Sequence, residues 1–479
     1  MTVVRKLAGP WQPFAVGTAL LLGSSAAQGQ SAERCDFVFE NTPATRVSAV
    51  RLPSGAFHTF IGAGVVAHCA GQDNQLVADS AEFYEDRGVL FLIGNVRYRE
   101  PRAQVTSNFM TYYQGEERLN AEGNVVASFT NGSVMRGPVA DYYRVSAARP
   151  VEYMVATGRP QLSLVERDTA GTAAQPVIVN ANRIRMDGDS LVYASGRVEM
   201  LRTDVTGHGD SAFMDGGREF MRLMRTPRVT GRGERPFTLE GEVIDMFARA
   251  RRLERVVASP GGHATSDDLE IFADTIDLRV IEDQLSRAFA FGPSRARAVS
   301  TERDVIADSL DVQMPNQQLQ EVRAVGSAFA TSLPDTARVI SPERDWLQGD
   351  TIVVQFETEG VADGRTQARQ LTATLNARSF HQMQGQNAAR DQPTVNYVRG
   401  ESILVLMQGG EISTVVVEGD ASGVYLEHAP ETTSAPDQPA ASPPAAPPPA
   451  GPAAPPPAAA PPAAAPPAAA VPFHPPLQR

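Results

Sequence analysis

Apolar residues recur at every second position along this chain, in frame after frame. In Asp274-Thr-Ile276-Asp-Leu278-Arg-Val280 a polar leader is followed by Ile276, Leu278 and Val280, with polar residues between them. The same frame opens at Asp79 (Ala81, Phe83), Asn108 (Met110, Tyr112), Asn182 (Ile184, Met186), Asp210 (Ala212, Met214) and Glu242 (Ile244, Met246). It returns at Asp308 (Leu310, Val312), Asp350 (Ile352, Val354) and Glu401 (Ile403, Val405), with a degenerate copy at Pro138-x-Ala140-x-Tyr142. A period of two places one face of a strand against a core.

A second alternating strand follows each frame and carries a glycine at a fixed place. Examples are Leu90-x-Leu92-x-Gly94-x-Val96, Leu119-x-Ala121-x-Gly123-x-Val125, Val192-x-Ala194-x-Gly196-x-Val198 and Val322-x-Ala324-x-Gly326-x-Ala328. Glycine inside a strand marks a bulge or a bend, so every strand pair is expected to fold over at the same level. Turn residues separate the two strands, as in Glu85–Gly88, Gln114–Glu116, Asp187–Asp189 and Asp215–Gly217. Leaders follow one another at 28, 32, 32 and 34 residues from Asn182 to Asp308, then at 42 and 51. The extra length falls in the polar segments Ser341–Asp345 and Gln384–Pro393, which read as surface insertions. Only Val243–Val256 could compete as a helix, and the strand frame fits there as well. The expectation is an all-β chain, an elongated stack of antiparallel strand pairs in which no unit buries its apolar face alone. Both ends of such a stack expose unpaired strand edges.

An apolar strand face is ordinarily plain core. Here the inward row holds Met110, Met186, Met214 and Met246, and methionine adapts to variable apolar ligands. An acyl chain along the seam would gain roughly 0.8 kcal/mol per buried methylene. The candidate lipid-contacting residues are therefore Phe83, Met110, Tyr112, Ile184, Met186 and Met214, continued by Ile244, Met246, Ile276, Leu278, Leu310 and Val312.

The ends of the chain differ from its middle. Arg5 and Lys6, the apolar run Phe14–Gly23 and the small residues Ser24–Ala27 have the layout of a secretory signal peptide over residues 1–30, with no cysteine for a lipid anchor. Export to an oxidising compartment makes a disulfide between Cys35 and Cys69 the better expectation over two free thiols. It would tie an N-terminal extension (31–75) to the first strands. Residues 430–479 hold 19 of the 36 prolines, too many to build a core, and read as a disordered Pro/Ala-rich tail. Phe473, His474 and Leu477 at its end are a candidate docking motif.

Charge and composition then remove whole classes of function. A net charge of -12 argues against nucleic acid as a partner. Lys6 is the single lysine, which excludes a Walker A loop and lysine-based covalent catalysis. The histidines (His58, His68, His208, His263, His381, His428 and His474) form no metal-ligand pattern. Gly207-His-Gly209 reads as a turn, not a dinucleotide fingerprint, and Asp267-Asp268 as loop carboxylates. No catalytic residue, metal site or cofactor is expected.

The phrases Asp79-Ser-Ala-Glu-Phe-Tyr84, Leu92-Ile-Gly-Asn-Val96, Asn108-Phe-Met-Thr-Tyr-Tyr113 and Leu119-Asn-Ala-Glu-Gly-Asn-Val125 resemble the OstA/LptA-like periplasmic lipopolysaccharide-transport family. The match is clear over residues 76–130 and looser through about residue 428. The resemblance implies a bent β-jellyroll, V-shaped in section, whose apolar interior carries the acyl chains of lipopolysaccharide. It also implies a periplasmic bridge to the outer membrane, joined edge to edge with other envelope transport proteins or end to end with further copies. The jellyroll repeats would occupy residues 76–200 and continue, or form a second domain, over 201–429. The competing class is an envelope scaffold or polysaccharide-active β-solenoid whose seam is closed core.

Overall fold

A computed structural model of the chain describes residues 35–40, 43–165, 176–232, 236–266, 269–357, 367–384, 390, 392–408 and 411–427. The expected signal peptide, the Pro/Ala-rich tail with its terminal motif, His428 and Asp267-Asp268 lie outside them. The described residues are all-β: 32 strands form one hydrogen-bonded antiparallel sheet. Among them no helix is long and apolar enough to cross a membrane.

The repeated unit is a hairpin bent across its middle. Strand Val89–Arg99 pairs with Ala103–Tyr113, and the register slips between Ile93 and Val96. The same slip interrupts Ala103–Tyr113 against Arg118–Phe129, Leu191–Leu201 against Val205–Asp215, and Glu321–Ser332 against Asp345–Glu357. Elsewhere the bend splits the strand in two, as between Arg228–Gly231 and Phe220–Met224. Each unit thus contributes one stretch to a first arm, which carries the polar leaders, and one to a second arm beyond the bend. Pairing runs unbroken through residues 200–207, where Leu201 opposes Thr206. It also spans the two sides of the 333–344 insertion, where Ser332 opposes Asp345.

The bend has a recurring chemistry. Gly94-Asn95, Gly123-Asn124, Gly196-Arg197 and Gly326-Ser327 all have positive φ at both residues. The leader of the preceding strand packs directly on the glycine: a Cβ at residue 196 would stand 2.6 Å from Asn182 Nδ2, and one at 123 would stand 2.9 Å from Asn108 Nδ2. Only glycine adopts this backbone freely and leaves room for the leader. The leader's amide completes the clip, Asp79 donating to the carbonyl of Gly94 at 3.0 Å and Glu401 to that of Gly419 at 3.0 Å.

Two sequence readings are corrected. Gly207-His-Gly209 is not a turn but lies within strand Val205–Asp215, where Gly207 makes room for Met200 and Leu223. The 341–345 segment is not wholly surface: Asp345 opens a strand, is 8 % exposed, and accepts the Gln382 amide at 2.9 Å. The Val243–Val256 segment forms two strands, Val243–Arg249 and Arg252–Ala258.

Candidate functional site

The inward side chains of the two arms form one apolar core that runs the length of the sheet. Register aligns them into rungs. On the first arm, nearest the bend, Met110 opposes Ala121, Ile184 opposes Ala194, Ile244 opposes Ala258 and Ile276 opposes Ala290. Large and small residues alternate from strand to strand, which lets neighbouring rows interlock. One step further from the bend lie Tyr112, Met154, Met186, Met214, Met246 and Leu278.

The structure brings all twelve sequence candidates to this seam. Met110, Tyr112, Ile184, Met186, Met214, Ile244, Met246, Ile276, Leu278, Leu310 and Val312 are each at most 4 % exposed. Phe83 is half-buried and packs against the core. The methionines are packed against their own chain, with Met186 at 1 % and Met214 at 2 %.

At the N-terminal end the seam carries a plug that the alternating pattern did not reveal. Cys35 and Cys69 are bonded, with Cα atoms 4.8 Å apart. This holds the short strand Phe37–Phe39 along Val65–Cys69. The Phe37 ring stands edge-on to Phe83 (5.6 Å) and Tyr112 (5.0 Å), and Phe39 lies 6.1 Å from Phe83. Two of the lipid-contact candidates therefore pack against the chain's own N-terminal strand.

Beside the plug lies a buried polar knot. Arg144 donates to Glu117 (2.9 Å), the Tyr112 hydroxyl (2.7 Å), Gln72 (2.6 Å) and Glu100 (3.3 Å). Glu117 also accepts from the Tyr112 hydroxyl and from the amide of Cys35. Glu100 accepts from the hydroxyls of Tyr98 and Tyr142. Burial, reinforced by the neighbouring carboxylates, raises the pKa of Tyr98, Tyr112 and Tyr142 well above the usual phenol range. Burial works against the Arg144 charge, but the surrounding tyrosines and Glu100 outweigh it and its pKa rises.

The knot also joins the far ends of the two arms, since Glu100 ends a second-arm strand and Tyr142 and Arg144 end a first-arm strand. Three further bonds cross the same mouth. Arg102 donates to Glu152 at 2.8 Å, Asn131 to the carbonyl of Asp189 at 2.8 Å, and Arg202 to the carbonyl of Arg251 at 3.2 Å. Outside the knot, Glu40, His68, Gln75, Arg99 and Gln104 line a polar cleft of about 640 Å3.

Among the described residues no group of three or more His, Cys, Asp or Glu is placed to hold a metal ion. His58 reaches Asp86, in the turn after Ser80–Tyr84, at 2.9 Å, and His381 reaches Asp345 on the neighbouring strand at 2.8 Å. No protein-family model and no curated protein matches the chain.

Proposed function

We propose that the chain is a non-enzymatic periplasmic carrier for lipopolysaccharide or a related lipid, similar to the OstA/LptA-like transport proteins. The observation that carries this reading is the seam: a continuous apolar interior between two bent arms of one sheet, enclosed by every unit from Ala81 to Val417. The polar leaders and paired glycines that create the bend are the residues in which the resemblance was seen. The sheet ends are the docking edges of this reading. Strand Arg46–Arg51 is exposed at every residue and pairs with Phe57–Gly62 alone among the described strands. Ser422–Leu426 is likewise exposed throughout and pairs only with Thr394–Gln408. Their free backbone donors and acceptors would add to the sheet of an envelope transport protein or of a second copy.

The near-complete burial of the rungs up to Val312 favours a second reading, an envelope scaffold or polysaccharide-active β-solenoid with closed core. Lipid analysis separates the two. Folded protein isolated from the cell envelope without detergent is expected to carry lipopolysaccharide detectable by mass spectrometry and to bind added fluorescent lipopolysaccharide after delipidation. Folded protein that carries none and binds none would overturn the carrier reading.

A further inference from the structure

The seam is not uniform. In the second first-arm rung from the bend, Tyr142, Met154, Met186, Met214 and Met246 are at most 4 % exposed, Met221 being half-buried. After Val312 (2 %) the same rung continues as Val322, Val354 and Leu371, shorter side chains that are all half-buried, before Val405 at 7 %. The facing arm changes at the same level. Its early rung holds Tyr98, Met135, Leu162, Val179 and Met200, each at most 1 % exposed. Its late rung holds Val305, Ala330 and Ser379, all half-buried, beside Leu347 at 6 %. The level nearest the bend is there reduced to Ala296, Ala307, Ala328, Gly349, Ala377 and Gly400.

Fraying at the sheet end does not account for this, because Val305 and Val322 lie several strands in from Ser422–Leu426. Side-chain volume changes with it: Tyr and Met give way to Val, Leu, Ala and Ser on the two arms, the first short pair, Ala288 and Ala298, still being buried at 3 % and 8 %. The knot and the three further bonds across the mouth all lie in the earlier part, none of them beyond Arg251.

We infer that lipid acyl chains lodge in the C-terminal stretch of the seam, between the strands of residues 303–418, and that the earlier stretch is filled by its own methionines and tyrosines. This rests on the carrier reading and locates its binding site. Six successive first-arm strands span about 25 Å, enough for a long acyl chain laid across them. The lining selects hydrocarbon over peptide. The strands that form it, the last excepted, are paired on both sides, so a peptide inserted among them would leave its amides without partners, whereas a hydrocarbon has none to lose.

The test is photo-crosslinking of fluorescent lipopolysaccharide to the full-length chain. A benzophenone side chain is placed singly at Val322, Leu371 or Ser379, and at Met186, Val192 or Leu162 in the earlier stretch, with circular dichroism confirming the fold of each. Capture at the first three positions alone is the expected result. Capture at the second three would overturn the inference and leave the carrier reading standing. Capture at none, in protein that still binds the lipid, would do the same. Capture at none in protein that binds no lipid would overturn both. Independently, Ala330→Leu fills the proposed space and should weaken lipid binding roughly tenfold, the worth of about two methylene contacts. Unchanged affinity in folded Ala330→Leu protein would overturn the location.

Discussion

Asn182 and Gly196 hold each other in place. The Asn182 amide donates to the Gly196 carbonyl at 2.8 Å, and its side chain fills the space a Cβ at 196 would need. Gly196→Ala therefore meets two penalties, a φ of +77° and a clash with Asn182. A loss of about 1–3 kcal/mol is expected, read as a lower Tm, and an unchanged Tm would show that the clip is dispensable.

The reverse substitution should stabilise. At the bend of strand Gln367–Met383, Leu375 and Asn376 have φ of +60° and +56° where other units use glycine, and Leu375 is 53 % exposed. Leu375→Gly removes the strain and little packing. A gain of up to about 1 kcal/mol is expected from thermal unfolding.

The buried knot predicts behaviour in alkali. Tyr98, Tyr112 and Tyr142 have pKa values raised above the unfolded value, chiefly by burial. The folded state therefore retains their protons where the unfolded chain releases them. Their contribution to stability is complete below about pH 10 and falls as pH rises beyond it. Spectroscopic titration should show their tyrosinate absorbance appearing together with loss of β-structure; tyrosinate formation at these three without unfolding would contradict the arrangement. Arg144→Met leaves Glu117 and Glu100 buried without their cation and should cost about 3–5 kcal/mol.

The disulfide fastens the plug, so its loss should act locally as well as globally. Cys35→Ser with Cys69→Ser is expected to cost about 2–4 kcal/mol. Hydrogen exchange should rise first in Phe37–Phe39 and its partner strand Val65–Cys69. Uniform exchange across the sheet would mean that the bridge constrains only the unfolded chain.

A charged side chain at Ile276 separates the early seam from the late. Ile276 is fully buried, so Ile276→Glu should abolish cooperative unfolding, whereas Val322→Glu, at a position only half-buried, should fold. Circular dichroism melting checks both.

The strands were legible because one buried face imposes a two-residue period, and the bend was legible because glycine adopts its backbone with the least strain and recurs there in most units. Even the leaders announced themselves, since a small polar residue fits beneath that glycine. The knot was not legible: Glu100, Glu117 and Arg144 sit near strand ends in different units, and nothing in local alternation pairs them. The change in the seam left a trace that a single frame does not show. Tyr98, Met135 and Met200 occupy the rung that later holds Ala298, Ala330 and Ser379, a difference visible only when second strands are compared between copies. Methionine in the inward row suggested adaptability to a ligand, but the facing arm determines whether any space remains, and that depends on residues dozens of positions away.

The fixed bend and the variable arm ends divide the labour of change. Because each unit repeats the same clip and hands the same pairing edge to the next, a whole unit can be gained or lost without redesigning its neighbours, while insertions such as 333–344 collect at the tips. Each added hairpin advances the sheet by two strand spacings, about 10 Å. The number of units is thus a molecular ruler, and duplication of a segment of roughly this repeat length would lengthen it in discrete steps.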